Sequence, residues 1–130
     1  MKRHTESIEV DDLFEDAEKL YAAGDMQEAE KLLKQVIQVN PYFSYAYQMQ
    51  AQIRGSAGKY TDAIRTLEQC IQFDPGFAHA YYLMAKFSFR SGKFDDAVKK
   101  IEIAVRTAPS TRLYKTVKAQ LIFQKNNTES

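Results

Sequence analysis

Glycine recurs in this sequence at a fixed step: Gly24, Gly58 and Gly92 stand 34 residues apart. The same step carries Ala17 to Ala51 to Ala85, Ala29 to Ala63 to Ala97, and Pro41 to Pro75 to Pro109. Four positions in unbroken register over three copies constrain the fold more than composition can, because a periodic chain folds as a stack of one small unit.

Each mark has a physical task in a helix-turn-helix unit. The glycines in Ala23-Gly24-Asp25, Ala57-Gly58-Lys59 and Ser91-Gly92-Lys93 fall where a first helix stops and the chain needs a left-handed dihedral. Thr61 and Asp95 then lie where a side-chain oxygen would cap the second helix, with Gln27 a weaker cap at the same place in the first copy. The alanines are small where two helices approach closely. Asn40-Pro41, Asp74-Pro75 and Ala108-Pro109 end each second helix, since proline disfavours helical dihedrals in the residue before it.

Between these marks the apolar residues follow helical spacing. Ala63, Ile64, Leu67, Cys70 and Ile71 form one stripe, with Arg65, Glu68, Gln69 and Gln72 on the other face. Leu33, Leu67 and Ile101 are equivalent by the 34-residue step, as are Val36, Cys70 and Ala104, and the bulky Met26, Tyr60 and Phe94. No segment alternates with period two, so the sequence predicts an all-α fold of about seven helices and no sheet. The last is a capping helix over 112–125, where Leu113, Val117 and Leu121 recur every four residues with Tyr114 and Ile122, flanked by Lys115, Lys118 and Lys125. The expected organisation is a single domain over 10–125, with repeats 10–43, 44–77 and 78–111 and flexible ends at 1–9 and 126–130.

Totals narrow the function. Hydrophobic residues make up 45% and charged residues 27%, which suits a folded soluble protein, and the formal charge of +1 offers no general attraction for nucleic acid or an acidic membrane. One cysteine, Cys70, allows no internal disulfide, and a cytoplasmic location is expected. The start, Met1 to Asp12, has no apolar run that would serve as a signal-peptide core, and no stretch approaches the roughly 20 apolar residues of a membrane span. In that setting the sequon Asn126-Asn127-Thr128 is read as chance.

The chemistry-bearing residues point to no active site. Cys70 lies in an apolar stripe and is expected to be a small core residue. His4 and His79 have no Cys or second His at ligand spacing, and the acidic run Asp11, Asp12, Glu15, Asp16 and Glu18 lacks the glycine-centred loop of a calcium site. Only Gly55 and Gly76 fall outside the repeat turns, and they occur singly, so no phosphate-cradling loop is present. No enzyme activity, cofactor or metal is expected.

These residues closely resemble the tetratricopeptide repeat family, whose pattern places a small residue in helix A (Ala17, Ala51, Ala85), an Ala early in helix B (Ala29, Ala63, Ala97), a large apolar residue four later (Leu33, Leu67, Ile101) and a closing Pro (Pro41, Pro75, Pro109). The match covers residues 10–111. Two positions depart from it. The early aromatic is Leu13 in the first copy, although Tyr47 and Tyr81 keep it, and the later Tyr position holds Leu20, Arg54 and Ser88.

The resemblance implies a right-handed superhelix of antiparallel helix pairs, with helices A lining a concave groove that binds a peptide or another protein. Carried over by position, the groove would be lined by Asp11, Phe14, Glu18 and Tyr21, then Tyr45, Gln48, Met49 and Gln52, then His79, Tyr82, Leu83, Lys86, Phe89 and Arg90. Aromatics among polar groups suit such a groove. Members that grip the C-terminal carboxylate of heat-shock proteins use a clamp of Lys, Arg and Asn. At those positions this chain has Phe14, Glu18, Met49, His79 and Leu83, so that ligand is not expected.

Charge is polarised along the chain. Residues 10–43 hold eight acidic and three basic residues, residues 78–111 three and six, and residues 112–130 one and four. This polarity would either orient a bound segment or favour weak head-to-tail self-assembly as a structural scaffold. The expected function is therefore a protein-interaction adaptor, with a self-assembling scaffold or a chaperone for secretion substrates as alternatives.

Overall fold

The computed structural model describes residues 2–129, with side chains from 9 to 128. Seven helices follow one another: α1 (Lys2–Ala22), α2 (Met26–Val39), α3 (Ser44–Ser56), α4 (Tyr60–Phe73), α5 (Ala78–Arg90), α6 (Phe94–Thr107) and α7 (Arg112–Glu129). They pack as the antiparallel pairs α1/α2, α3/α4 and α5/α6, each pair lies on the next, and α7 packs against α6. The architecture is the all-α stack of helix pairs expected from the period.

The turns within pairs are built identically. Gly24, Gly58 and Gly92 have φ of 85°, 79° and 82°, the left-handed region in which a side chain is costly. In each, the glycine N–H donates to the carbonyl three residues back and the next N–H to the carbonyl five back: Gly58 to Gly55 at 3.0 Å and Lys59 to Arg54 at 2.9 Å, for example. This double bond pattern satisfies carbonyls that the helix end leaves open. The turn delivers residues 25, 59 and 93, not 27, 61 and 95, as the N-caps of the second helices. Asp25 Oδ1 accepts from the Glu28 N–H at 3.3 Å, whereas Lys59 and Lys93 supply no side-chain cap. Thr61 and Asp95 thus sit inside the first helical turn. The bulky residue after the turn is already helical, which moves the cap two positions earlier than the sequence reading placed it.

Between pairs, Asn40, Asp74 and Ala108 hold non-helical backbone ahead of their prolines. Their carbonyls accept from Phe43, Phe77 and Thr111 at 3.1 Å, closing a four-residue turn with proline second, where its fixed φ is preorganised.

The core consists of three clusters, each joining one pair to the next first helix. Leu33, Leu67 and Ile101 are fully buried, one in each cluster, among alanines that let the helix backbones approach. Burial of each contributes about 1.5–3 kcal/mol relative to exposure. Arg54, which stands where the family pattern has an aromatic, donates from Nε to Glu30 Oε1 at 2.7 Å and bonds the buried Thr66 hydroxyl, so an ionic link replaces ring packing there. Gly55 faces the ring of Phe87 so closely that a Cβ would overlap it, and this explains a glycine inside a helix that the repeat does not require.

Both end helices run beyond the expected domain limits. Residues 2–9 belong to α1 and 126–129 to α7, because neither segment contains a Gly or Pro to interrupt the helix, and Thr128 Oγ1 donates to the Gln124 carbonyl at 2.8 Å. Residues 1 and 130 lie outside the described residues, as does the side chain of His4.

Cys70 is fully buried in the apolar face of α4, its Sγ 3.9 Å from the Ser44 carbonyl oxygen. Burial, with Asp74 nearby, pushes the thiol up to about 11. A thiol reagent applied at mildly alkaline pH is therefore expected to label the native protein far more slowly than the chain in denaturant, where a free thiol titrates at about 8.5. Equal rates would show that α4 opens readily to solvent.

Candidate partner-binding groove

The residues singled out for the groove lie on α1, α3 and α5, the first helix of each pair. On α1, the ring of Phe14 rests against Phe43, centroids 4.8 Å apart, and is half-buried, as is Tyr21; Asp11 and Glu18 are exposed. On α3, Tyr45 is 61% exposed and meets Phe77 edge-on at 5.6 Å, while Gln48, Met49 and Gln52 are half-buried. On α5, His79, Tyr82, Lys86 and Phe89 are half-buried and Arg90 is exposed.

Leu83 departs from the expectation. It is 2% exposed and packs with Ala51, Ala63 and Leu67, so it belongs to the core and presents nothing to a partner. Its helix position points toward the preceding pair, and an apolar residue of that size fills the gap there.

His79 is also engaged from within. Its Nδ1 is hydrogen-bonded to the Tyr114 hydroxyl at 3.0 Å, and the rings of Tyr82 and Tyr114 lie 4.9 and 6.0 Å from its own. Burial, reinforced by the Lys86 charge, lowers its pKa and favours the neutral imidazole. Burial likewise raises the pKa of the Tyr114 phenol. His79 therefore fastens α7 to α5.

Four of the expected residues come together in one cleft. Tyr82, Lys86, Phe89 and Arg90 of α5 face Val117, Gln120, Leu121 and Gln124 of α7 across about 580 Å³. The Lys86 ammonium lies 5.6 Å above the Tyr82 ring, and Phe89 packs edge-on against Phe94 at 5.2 Å. The α7 wall was missed because the sequence reading treated that helix only as a cover. A signal was present: Val117, Gln120 and Gln124 are one 34-residue step from Leu83, Lys86 and Arg90. Phe43 and Phe77, two residues after their prolines, were missed as well.

Helix α7 is held in place by Tyr114 and Leu121, both buried, and by ion pairs from Lys125 to Asp95 at 2.7 Å and Lys118 to Glu102 at 3.9 Å. Phe123 remains 63% exposed. Among the described residues, no group of three or more His, Cys, Asp or Glu is disposed to hold a metal ion. No described helix is long and apolar enough to cross a membrane.

No curated protein sequence matches the chain. Several solved structures share its fold. The first TPR of Spaghetti (RPAP3), bound to the HSP90 peptide SRMEEVD, superposes with a TM-score of 0.81 at 16% identity over 90% of this chain and 93% of that one. The Yersinia enterocolitica type III secretion translocator chaperone SycD gives 0.78 at 17% identity, over 91% of this chain and 88% of its own. The Thermobaculum terrenum O-GlcNAc transferase gives 0.78 at 20% identity over 90% of this chain, which spans only 22% of that protein's length. A family model described as tetratricopeptide repeat matches residues 56–121, just over half of the chain. Those residues run from the end of α3 and the Gly58 turn into α7 as far as Leu121, so the chain belongs to the tetratricopeptide repeat family.

Proposed function

We propose that this protein is a non-catalytic adaptor that binds an extended segment of another protein across the faces of α1, α3, α5 and α7. The observation that carries the reading is the cleft between α5 and α7, where half-buried rings lie beside polar and cationic groups and a further exposed aromatic, Tyr45, stands on α3. Flat apolar surfaces with neighbouring donors are what peptide recognition requires. The domain is read as 10–125, with three repeats over 10–43, 44–77 and 78–111 and α7 as a capping helix. In support, Ala119 continues the series Ala17, Ala51 and Ala85, but it is exposed while those three are fully buried. One repeat step after the half-buried Tyr81 and the buried Met84, α7 carries Lys115 and Lys118, so the terminal surface is made polar.

A narrower reading, a chaperone that holds a secretion substrate, is favoured by the likeness to SycD over nearly the whole of both chains. Either reading requires the same groove.

The test is selection from a random peptide library on the immobilised protein, followed by fluorescence anisotropy of the recovered peptides against wild type and a Tyr45→Ala, Phe89→Ala variant. The variant is expected to bind about tenfold or more weakly, since central aromatics contribute most to such interfaces. Unchanged affinity in a variant that melts like wild type would move recognition to another surface.

A further inference from the structure

We infer that the cleft between α5 and α7 recognises an acidic-apolar element of the bound segment, a bulky apolar side chain with an Asp or Glu beside it. This rests on the groove reading above and assigns the chemistry of one subsite within it. The cleft is of a size that takes a large side chain, and Tyr82, Phe89, Val117 and Leu121 give it an apolar lining. Its remaining walls are Lys86 and Arg90 on one side and the amides of Gln120 and Gln124 on the other, with no carboxylate among the lining residues.

The two cations have no ion-pair partner among the described residues. Among the described residues, Lys19, Lys31, Arg54, Arg65, Lys118 and Lys125 each lie within ion-pair distance of a carboxylate, but neither Lys86 nor Arg90 does. They stand one turn apart on α5, an arrangement of like charges that disfavours the helix slightly until an anion bridges them. Lys86 is half-buried over the Tyr82 ring, where an arriving carboxylate is less screened than at the open surface. Gln120 and Gln124 offer both donors and acceptors, suited to the main chain on either side of the anchor.

The preference is local. One repeat step back from Lys86 stands Gln52, and two steps back Glu18. An acidic element is therefore drawn to the α5/α7 end and repelled from α1, which fixes the direction in which the segment lies. Two cations in a chain of net charge +1 are too few to hold a nucleic-acid backbone, so a peptide is the occupant.

The experiment is peptide selection on wild type, on a Lys86→Gln, Arg90→Gln variant and on a Lys86→Glu, Arg90→Glu variant, each shown by circular dichroism and melting to be folded. The wild-type pool is expected to be enriched in Phe, Leu or Trp next to Asp or Glu. Replacing that acid by Lys in a recovered peptide should weaken binding about tenfold, and the charge-reversed variant should prefer the Lys form. A pool without acidic enrichment, or an acidic preference kept by the Gln variant, overturns the inference. If such peptides still lose affinity in the Tyr45→Ala, Phe89→Ala variant, the groove reading stands without it. Peptides indifferent to that variant, no recovered peptide at all, or displacement of the peptide by an oligonucleotide of equal charge would sink the groove reading and the subsite together.

Discussion

Leu67→Ala is expected to lower the unfolding free energy by about 3 kcal/mol, measured as a shift in the urea midpoint. Leu67 is 0% exposed at the centre of the middle cluster, with Ala51, Ala63, Ala80, Leu83 and Met84 around it. Alanines already occupy the close approaches, so the surrounding helices have little room to collapse into the cavity, and the loss includes most of the cavity term as well as the transfer term. The middle position adds a second consequence. In a stack, weakening one central unit separates the cooperative unfolding of its neighbours, so the slope of the transition is expected to fall along with its midpoint. A loss below about 1 kcal/mol would mean that the middle cluster is loosely packed, contrary to the burial seen here.

Gly55→Val is expected to destabilise by a similar amount, about 2–3 kcal/mol, although it replaces the poorest ordinary helix former. A Cβ at this position overlaps the ring of Phe87, which is itself buried and stacked on Tyr60 with centroids 6.1 Å apart. The ring has nowhere to swing without giving up that stack. A β-branched side chain also recovers less helix propensity than alanine would. The decisive measurement is a double-mutant cycle with Phe87→Ala. The valine methyls should fill part of the space that the ring vacates, so the double variant should be more stable than the sum of the singles predicts by about 1–2 kcal/mol. Additive effects would show that Gly55 and Phe87 do not meet.

The period made the helix boundaries legible because each is set by a local event: a glycine that adopts positive φ, or a proline that bars the preceding residue from the helix. What depended on contact between copies was harder to see. Gly55 carries no local reason for being glycine; its reason is a ring 32 residues further on. The caps were displaced because Thr61 and Asp95 have suitable side chains, whereas the turn geometry hands that position to Lys59 and Lys93. Leu83 and Lys86 lie on the same helix and were both assigned to the groove. The angle at which α5 meets the preceding pair decides that Leu83 is interior and Lys86 is not, and hydrophobic spacing alone does not supply that angle. Arg54 departs from the family pattern, and its bonds to Glu30 and Thr66 show a substitute interaction that pairwise sequence comparison with that pattern does not reveal.

The extensive helix contacts are all between elements consecutive in the chain, from α1 with α2 through α6 with α7. Closing any of them needs only a loop of a few residues, which costs little chain entropy and permits rapid folding. For a chain emerging from the ribosome, α1 and α2 have their principal partner as soon as both are synthesised, and each later pair arrives on a surface already formed. The growing stack thus exposes one unfinished apolar end at a time, and the surface left by α5 and α6 is met by α7 as soon as that helix is made.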